Sequence, residues 1–133
     1  MSERKNARLV QQVYQSFKAG DVQLLLNSLA ADVEWRLPEM ANVPFAGKWE
    51  GREAVALFLS TVADAQDVIE FEPEAFIAQG DKVVALGRFA WRVKATGRQF
   101  RSDWAHVWTV KGGKVTQFDE YTDTVALTRA HAA

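Results

Sequence analysis

Residues 82–124 read KVVALGRFAWRVKATGRQFRSDWAHVWTVKGGKVTQFDEYTDT, and this stretch decides the fold. Apolar and polar residues alternate along it, as they do in strands that bury one face of a sheet. Two turn signals, Thr96-Gly97 and Gly112-Gly113, divide the stretch. The pattern therefore predicts three long strands joined by hairpins, at residues 82–94, 99–110 and 114–124.

The sequence before this stretch changes from helical to alternating periodicity. Apolar residues at helical spacing predict helices at residues 3–19, 22–29 and 52–65. Gly20 is suited to end the first helix in a left-handed conformation, and Asp21 is suited to cap the start of the second. Two more strands are predicted at residues 32–37 and 68–79, the second with an edge position or a bulge near Pro73.

Length and composition limit the classes of protein that this chain can be. Its 133 residues suit a single domain, residues 1–133, and the 48% hydrophobic content is normal for a packed core. A net charge of -1 is a poor match for nucleic acid or an anionic membrane. The chain has no cysteine and only two histidines, which leaves little material for a metal centre. No apolar run is long enough to cross a bilayer. We therefore expect a cytoplasmic protein without metal or cofactor. A loose tail is expected at residues 130–133.

Helices followed by antiparallel strands predict an α+β fold with helices on one face of a curved sheet. Six short motifs accompany this order: Gly20-Asp21, Asp32-Val33-Glu34-Trp35, Pro44-Phe45-Ala46-Gly47, Gly51-Arg52-Glu53-Ala54-Val55, Gly113-Lys114-Val115 and Glu120-Tyr121-Thr122-Asp123. Together they resemble the nuclear-transport-factor-2-like superfamily, and within it the SnoaL-like and ketosteroid-isomerase-like proteins. The resemblance covers nearly the whole chain. It implies one SnoaL-like domain, a cone-shaped curved antiparallel sheet wrapped around the N-terminal helices, with a pocket at its open end. It also implies a homodimer through the outer sheet face, where we expect Arg88, Arg92, Arg101 and Asp103.

His106 lies between two tryptophans on one predicted strand, and the three side chains share a face. Histidine exchanges a proton near neutral pH, so it is a candidate for acid–base chemistry, although a purely structural core histidine gives the same pattern. On the last strand, alternation alone does not choose the inner face. A two-residue loop at Gly112-Gly113 would place His106 opposite Asp119, and a three-residue loop would place it on the same face as Glu120.

The resemblance to known families favours Glu120. This residue matches the acid that SnoaL-type cyclases and limonene epoxide hydrolases carry on their final strand. His106 matches the position at which ketosteroid isomerases place an acid that hydrogen-bonds the developing oxyanion. The resemblance therefore implies that His106 and Glu120 form a general acid–base pair.

Other positions of the chain depart from these families. The general-base aspartate of ketosteroid isomerase falls on Leu37, and its tyrosine falls on Val13, next to Tyr14. The arginine and aspartate of limonene epoxide hydrolase fall on Gly87 and Phe89. Steroid isomerisation and epoxide hydrolysis by those residues are therefore not expected.

The rest of the predicted pocket wall is apolar or aromatic. The candidate ligand-binding residues are Tyr14, Trp35, Leu37, Phe58, Phe89, Trp91, Trp104, Trp108 and Phe118. Such walls with a few polar groups are typical of small-molecule sites, although aromatic residues at alternating positions also simply fill cores. The sequence predicts a protein that binds a small apolar or aromatic molecule, as a cofactor-free isomerase, cyclase or dehydratase that transfers protons with His106 and Glu120. The alternatives are the same pocket without turnover, and a dimerisation module with a filled core.

Overall fold

The computed structural model describes residues 2–133, which form six strands and four helices. In chain order these are α1 (Glu3–Ala19), α2 (Val22–Asn27), β1 (Leu29–Arg36), β2 (Lys48–Glu50), α3 (Arg52–Ala65), β3 (Gln66–Gln79), β4 (Lys82–Val93), β5 (Gln99–Lys111), β6 (Lys114–Thr122) and α4 (Thr124–His131). The first and third predicted helices have the predicted bounds, and the three long strands end within two residues of the predicted positions. No helix among residues 2–133 is long and apolar enough to span a bilayer.

All six strands belong to one sheet, in the order β2-β1-β6-β5-β4-β3. Strands β3 to β6 form the predicted antiparallel meander. The sheet as a whole is mixed rather than antiparallel, because β1 runs parallel to β6. These two strands are far apart in sequence, so no hairpin fixes their relative direction, and the intervening elements supply the crossover that a parallel pair needs. The predicted α+β fold, with a curved sheet and N-terminal helices, is confirmed.

The curvature of the sheet arises partly in its edge strand β3. Its register with β4 shifts between Val68 and Glu70 and again between Pro73 and Ala75. An extra residue in one strand bends it and increases its twist, and an edge strand tolerates proline because one side of its backbone has no partner strand. The edge position and the bulge predicted near Pro73 are both confirmed. The bent sheet packs against α1 through β3 and β4.

The N-terminal helices follow from their caps. The Ser2 hydroxyl accepts a hydrogen bond from the Lys5 backbone N–H, and Gly20, with φ of 73°, ends α1 in the left-handed conformation. The Asp21 carboxylate caps α2. The second helix is shorter than predicted, because Leu29 begins β1 and pairs with Val115 of β6 instead of continuing the helix.

Two elements of the fold were not predicted. The loop expected at residues 38–51 contains the short strand β2, in which Trp49 pairs with Trp35. The prediction of a loose tail at residues 130–133 is wrong for residues 130 and 131, because α4 continues to His131 and Ala130 is 4% exposed. The carbonyl of Ala130 accepts a hydrogen bond from the Thr96 hydroxyl, which fixes the end of α4 to the β4–β5 turn.

The outer face of the sheet carries charged residues around an apolar centre. Arg88 and Arg92 of β4 form ion pairs with Glu70 and Asp67 of β3. The same face carries an apolar patch whose members neighbour one another across the strands. Three of them are exposed, Ile77, Leu86 and Tyr121, and three are half-buried, Val84, Ala105 and Val107. An exposed apolar patch on a sheet is typical of an interaction surface. The homodimer through this face stays a prediction.

Candidate active site

The register of the β5–β6 hairpin places His106 directly opposite Glu120. The loop has two residues, since Lys111 pairs with Lys114, but the register shifts between Thr109 and Val110. This bulge adds the residue that a two-residue loop lacks, so Glu120 and not its neighbour faces the imidazole. His106 Nε2 and Glu120 Oε1 are 2.9 Å apart.

Asp119, the other candidate partner, lies on the opposite face of β6. Its carboxylate accepts two hydrogen bonds from the Arg36 guanidinium, with Nε–Oδ1 at 2.6 Å and Nη2–Oδ2 at 3.3 Å. Burial acts to raise the pKa of Asp119, but the hydrogen bonds from Arg36 and Gln117 outweigh it and lower the pKa. Asp119 therefore belongs to an ion pair of the outer face and not to the interior site.

The interior pair is extended by two residues into a buried hydrogen-bonded chain. The Tyr14 hydroxyl is 2.6 Å from His106 Nδ1, and the Trp108 indole N–H donates to the same hydroxyl at 2.9 Å. Burial raises the pKa of Tyr14 far above its ordinary value, so the hydroxyl keeps its proton. Because a carboxylate only accepts, the imidazole proton lies on Nε2 and is donated to Glu120, which leaves Nδ1 as the acceptor for the Tyr14 hydroxyl.

Aromatic rings hold the imidazole in place on both sides. Trp104 stacks on His106 with ring centroids 4.0 Å apart and an interplanar angle of 18°, and the Phe118 ring approaches edge-on at 4.7 Å. Trp104 can occupy this position because Gly87 lies opposite it on β4, where a Cβ atom would collide with the indole. The imidazole is 4% exposed and has no rotational freedom that preserves these contacts.

The buried chain ends at an apolar cavity of about 80 Å³. The structure places eight of the predicted binding residues on its wall, with His106 and Glu120: Tyr14, Trp35, Leu37, Phe58, Phe89, Trp91, Trp108 and Phe118. Trp104 does not line the cavity, because its ring lies behind the imidazole. A filled core, the third alternative, does not describe this interior.

Several wall residues were missed by sequence reasoning. Phe45 comes from the segment before β2, Phe71 and Gln66 from β3, and Leu127 from α4. The loop Pro44-Phe45-Ala46-Gly47 was recognised only as a family motif. Leu127 was not found because α4 was not predicted, although Asp123 three residues before Ala126 is a helix-capping signal that could have shown it.

A surface groove adjoins the cavity. It lies between α1, α3 and the first half of β3, and it shares six wall residues with the cavity: Phe17, Leu59, Val62, Gln66, Phe71 and Trp91. Phe17, Leu59 and Phe71 are only half-buried. This groove is the candidate entrance to the cavity.

The SnoaL-like domain family model matches residues 10–118. The chain belongs to this family. It is 38% identical to a nuclear-transport-factor-2-like protein from Burkholderia xenovorans, over 99% of both chains and with a TM-score of 0.90. A protein of the same fold and of unknown function from Burkholderia pseudomallei is 29% identical over all of both chains, with a TM-score of 0.87. TerC, co-crystallised with polyporic acid, is 29% identical over 97% of this chain and 99% of its own, with a TM-score of 0.86. No curated protein matches the chain.

In this SnoaL-like site, His106 and Glu120 differ in what remains free for a ligand. Both imidazole nitrogens of His106 are occupied, by Tyr14 and by Glu120. Glu120 Oε2 accepts no hydrogen bond from residues 2–133, and the Glu120 side chain is 11% exposed. The carboxylate therefore has an oxygen that can touch a ligand and exchange a proton with it, whereas the imidazole has no free nitrogen for a ligand. Residues 2–133 contain no cluster of three or more potential metal-ligating side chains.

Proposed function

We propose that this SnoaL-like protein binds a small apolar or aromatic molecule and moves a proton on it with Glu120 as general base and acid. One observation carries the proposal: a buried chain from Trp108 through Tyr14 and His106 ends at a carboxylate with a free oxygen in an apolar cavity. Desolvation strengthens the electrostatic interactions of such a carboxylate. The co-crystallisation of TerC with polyporic acid supports a small organic ligand.

The geometry gives each member of the chain a distinct task. Glu120 Oε2 removes a proton from an acidic C–H bond of the ligand, the electron pair moves onto the ligand's oxygen, and the same carboxyl returns the proton at another carbon. His106 is a positioning residue, since its Nε2–H holds Oε1 and fixes the carboxylate plane. Tyr14 holds the imidazole in the tautomer that can donate to Glu120. Removal of a proton from a carbon of the ligand is the step that cofactor-independent isomerases, cyclases and dehydratases have in common, and its return at another carbon completes an isomerisation.

Binding is tested first, by tryptophan fluorescence. Trp35, Trp91 and Trp108 line the cavity, so a ligand in it changes their emission. We expect saturable quenching by 2-tetralone and by polyporic acid, and the same response in the Glu120→Gln variant, which preserves the size of the side chain. A filled or inaccessible interior would give no saturable response to either compound.

Proton transfer is tested with 2-tetralone in D2O, whose acidic C–H bonds next to the carbonyl report enolisation by loss of their NMR signals. We expect the wild-type chain to accelerate exchange over buffer, and Glu120→Gln to lower the rate by about 100-fold or more. Asp119→Asn is the matched control, because this carboxylate is adjacent in sequence but faces outwards, and it should leave exchange unchanged. Saturable binding with exchange equal in wild type and Glu120→Gln would favour a binding protein without turnover.

A further inference from the structure

Gln66 is the polar residue of the cavity wall that the buried chain does not include. Among residues 2–133, and leaving the indoles aside, four residues of the cavity wall carry polar side-chain atoms: Tyr14, Gln66, His106 and Glu120. Three of them are hydrogen-bonded to one another. Gln66 is 5% exposed and is not bonded to these three residues, so its presence on the wall calls for a separate explanation.

Gln66 lies where the entrance groove meets the cavity. It is the first residue of β3, directly after α3, and it lines both the groove and the cavity. It pairs with Val93 at the end of β4, whereas His106 pairs with Ala85 near the beginning of that strand. The Gln66 amide and the Glu120 carboxylate are therefore two separate polar points in an otherwise apolar space.

The orientation of the Gln66 amide is set by α4. His131 Nε2 lies 3.0 Å from Gln66 Oε1, and because an amide oxygen only accepts, the imidazole donates to it from Nε2. Burial lowers the pKa of His131, which favours the neutral ring. His131 is itself held by ring contacts with Phe45 and Phe100. Because the amide oxygen is occupied by this bond, the amide NH2 group points away from His131.

The amide nitrogen is free to donate to a ligand. It makes no hydrogen bond with any atom of residues 2–133. The indole nitrogens of Trp35 and Trp104 also lack hydrogen-bond partners, but these atoms are fully buried. The Gln66 amide nitrogen differs from them because it is not fully buried. A buried donor without a protein partner, next to accessible space, is suited to a ligand acceptor.

We propose that Gln66 selects ligands that carry a carbonyl oxygen on their apolar frame, by donating its amide N–H to that oxygen as the ligand enters past α3 and β3. The inference rests on the proposed function, since it assigns a recognition element to the same cavity. His131 acts as the positioning residue for Gln66. The ligand class that follows is an apolar or aromatic ketone, enone or quinone, rather than a hydrocarbon or a simple phenol.

A matched pair of compounds tests the proposal. 6-Hydroxy-1-tetralone and 5,6,7,8-tetrahydro-2-naphthol have the same bicyclic frame and hydroxyl group and differ in the carbonyl. Titration by tryptophan fluorescence gives the ratio of the two dissociation constants. We expect the wild-type chain to bind the ketone about 5- to 10-fold more tightly than its deoxygenated analogue, which lies within the range for one hydrogen bond.

Three variants assign the preference to the amide. In Gln66→Leu and Gln66→Glu, which remove the donor while keeping the size of the side chain, the ratio should fall to about one. His131→Ala should lower the ratio without abolishing binding, since the amide loses its fixed orientation. Gln79→Leu, at the exposed far end of β3, should keep the wild-type ratio.

The outcomes separate this inference from the proposed function. If the wild-type chain binds both compounds with equal affinity, or if Gln66→Leu keeps the preference for the ketone, the assignment of Gln66 is wrong while ligand binding stands. If neither compound binds the wild-type chain, the cavity is not a site for such ligands and both proposals are wrong. Circular dichroism of each variant checks that a lost preference does not come from a lost fold.

Discussion

Replacing Tyr14 with phenylalanine removes the central link of the buried hydrogen-bonded chain and little else. The hydroxyl bonds His106 Nδ1 at 2.6 Å and accepts from Trp108 Nε1 at 2.9 Å. His106 is 4% exposed and Trp108 is 2% exposed, so bulk solvent has little access to the two groups that lose their bonds. The aromatic ring that packs against these neighbours is unchanged in the variant. The substitution therefore isolates the hydrogen bonds from the packing.

The size of the effect follows from the two groups that are left unpaired. Each buried group without its partner lowers the free energy of unfolding by about 1–3 kcal/mol. The variant no longer has to bury a hydroxyl, which offsets part of this, so we expect the free energy of unfolding to fall by about 2–4 kcal/mol in total. For a chain of this length that corresponds to a fall in Tm of about 6–15 °C. Urea denaturation followed by fluorescence, and calorimetry, measure both quantities. Tyr121→Phe is the matched control, because Tyr121 is 59% exposed on the outer face.

The pH dependence gives a second, independent check. Burial raises the pKa of Tyr14, so the native state holds its proton where the unfolded chain, with a tyrosine pKa of about 10, releases it. The stability that comes from the protonated hydroxyl is complete below about pH 10 and is lost as the pH rises further. The difference between wild type and Tyr14→Phe should therefore shrink above pH 10. A variant within about 0.5 kcal/mol of wild type at neutral pH would refute the buried chain as described.

Three further predictions concern other parts of the molecule. Gly87→Ala should lower stability by about 1–3 kcal/mol in urea denaturation, because its Cβ atom collides with the Trp104 ring; wild-type stability would show that this contact relaxes freely. Burial lowers the pKa of His131, so the unfolded chain binds a proton more readily than the native state and acid below about pH 6.5 favours unfolding. Between about pH 7 and pH 5, His131→Asn should therefore lose less stability than wild type, and equal losses would contradict this. The wild-type chain should sediment as a dimer and Leu86→Asp as a monomer, and a monomeric wild type at micromolar concentration would exclude the outer-face dimer.

The elements with strong periodicity were predictable from the sequence, and the short ones were not. The long strands and the two long helices carry alternating or helical patterns over a dozen residues, which local physics determines. β2 has three residues, Lys48–Glu50, and forms only because β1 offers its edge to them. α4 is an eight-residue helix whose place is set by long-range bonds to Thr96 and Arg98. The parallel pairing of β1 with β6 has no local signal at all.

The candidate site shows the same division between local and long-range information. Alternation places His106 on the inner face, but the bulge at Thr116 of β6 decides that it meets Glu120, and no sequence pattern marks that bulge. The partner on the other side, Tyr14, comes from a helix 92 residues earlier in the chain. Trp104 shares the inner face as predicted and yet stays off the cavity wall, because the absence of a side chain at Gly87 leaves room for its ring behind the imidazole.

The buried polar chain is better explained by ligand chemistry than by stability. Leu, Phe and Val side chains fill neighbouring positions of the same wall, so apolar residues of similar size at positions 14, 106 and 120 are compatible with this fold. Replacing a buried polar network with apolar residues of similar volume is often neutral or stabilising. A chain that served only packing would also leave no free acceptor, whereas here one carboxylate oxygen is left open at the cavity. In the proposed function the chain holds Glu120 in place for a ligand, and an apolar isostere of Glu120 should therefore remove proton transfer while keeping the fold.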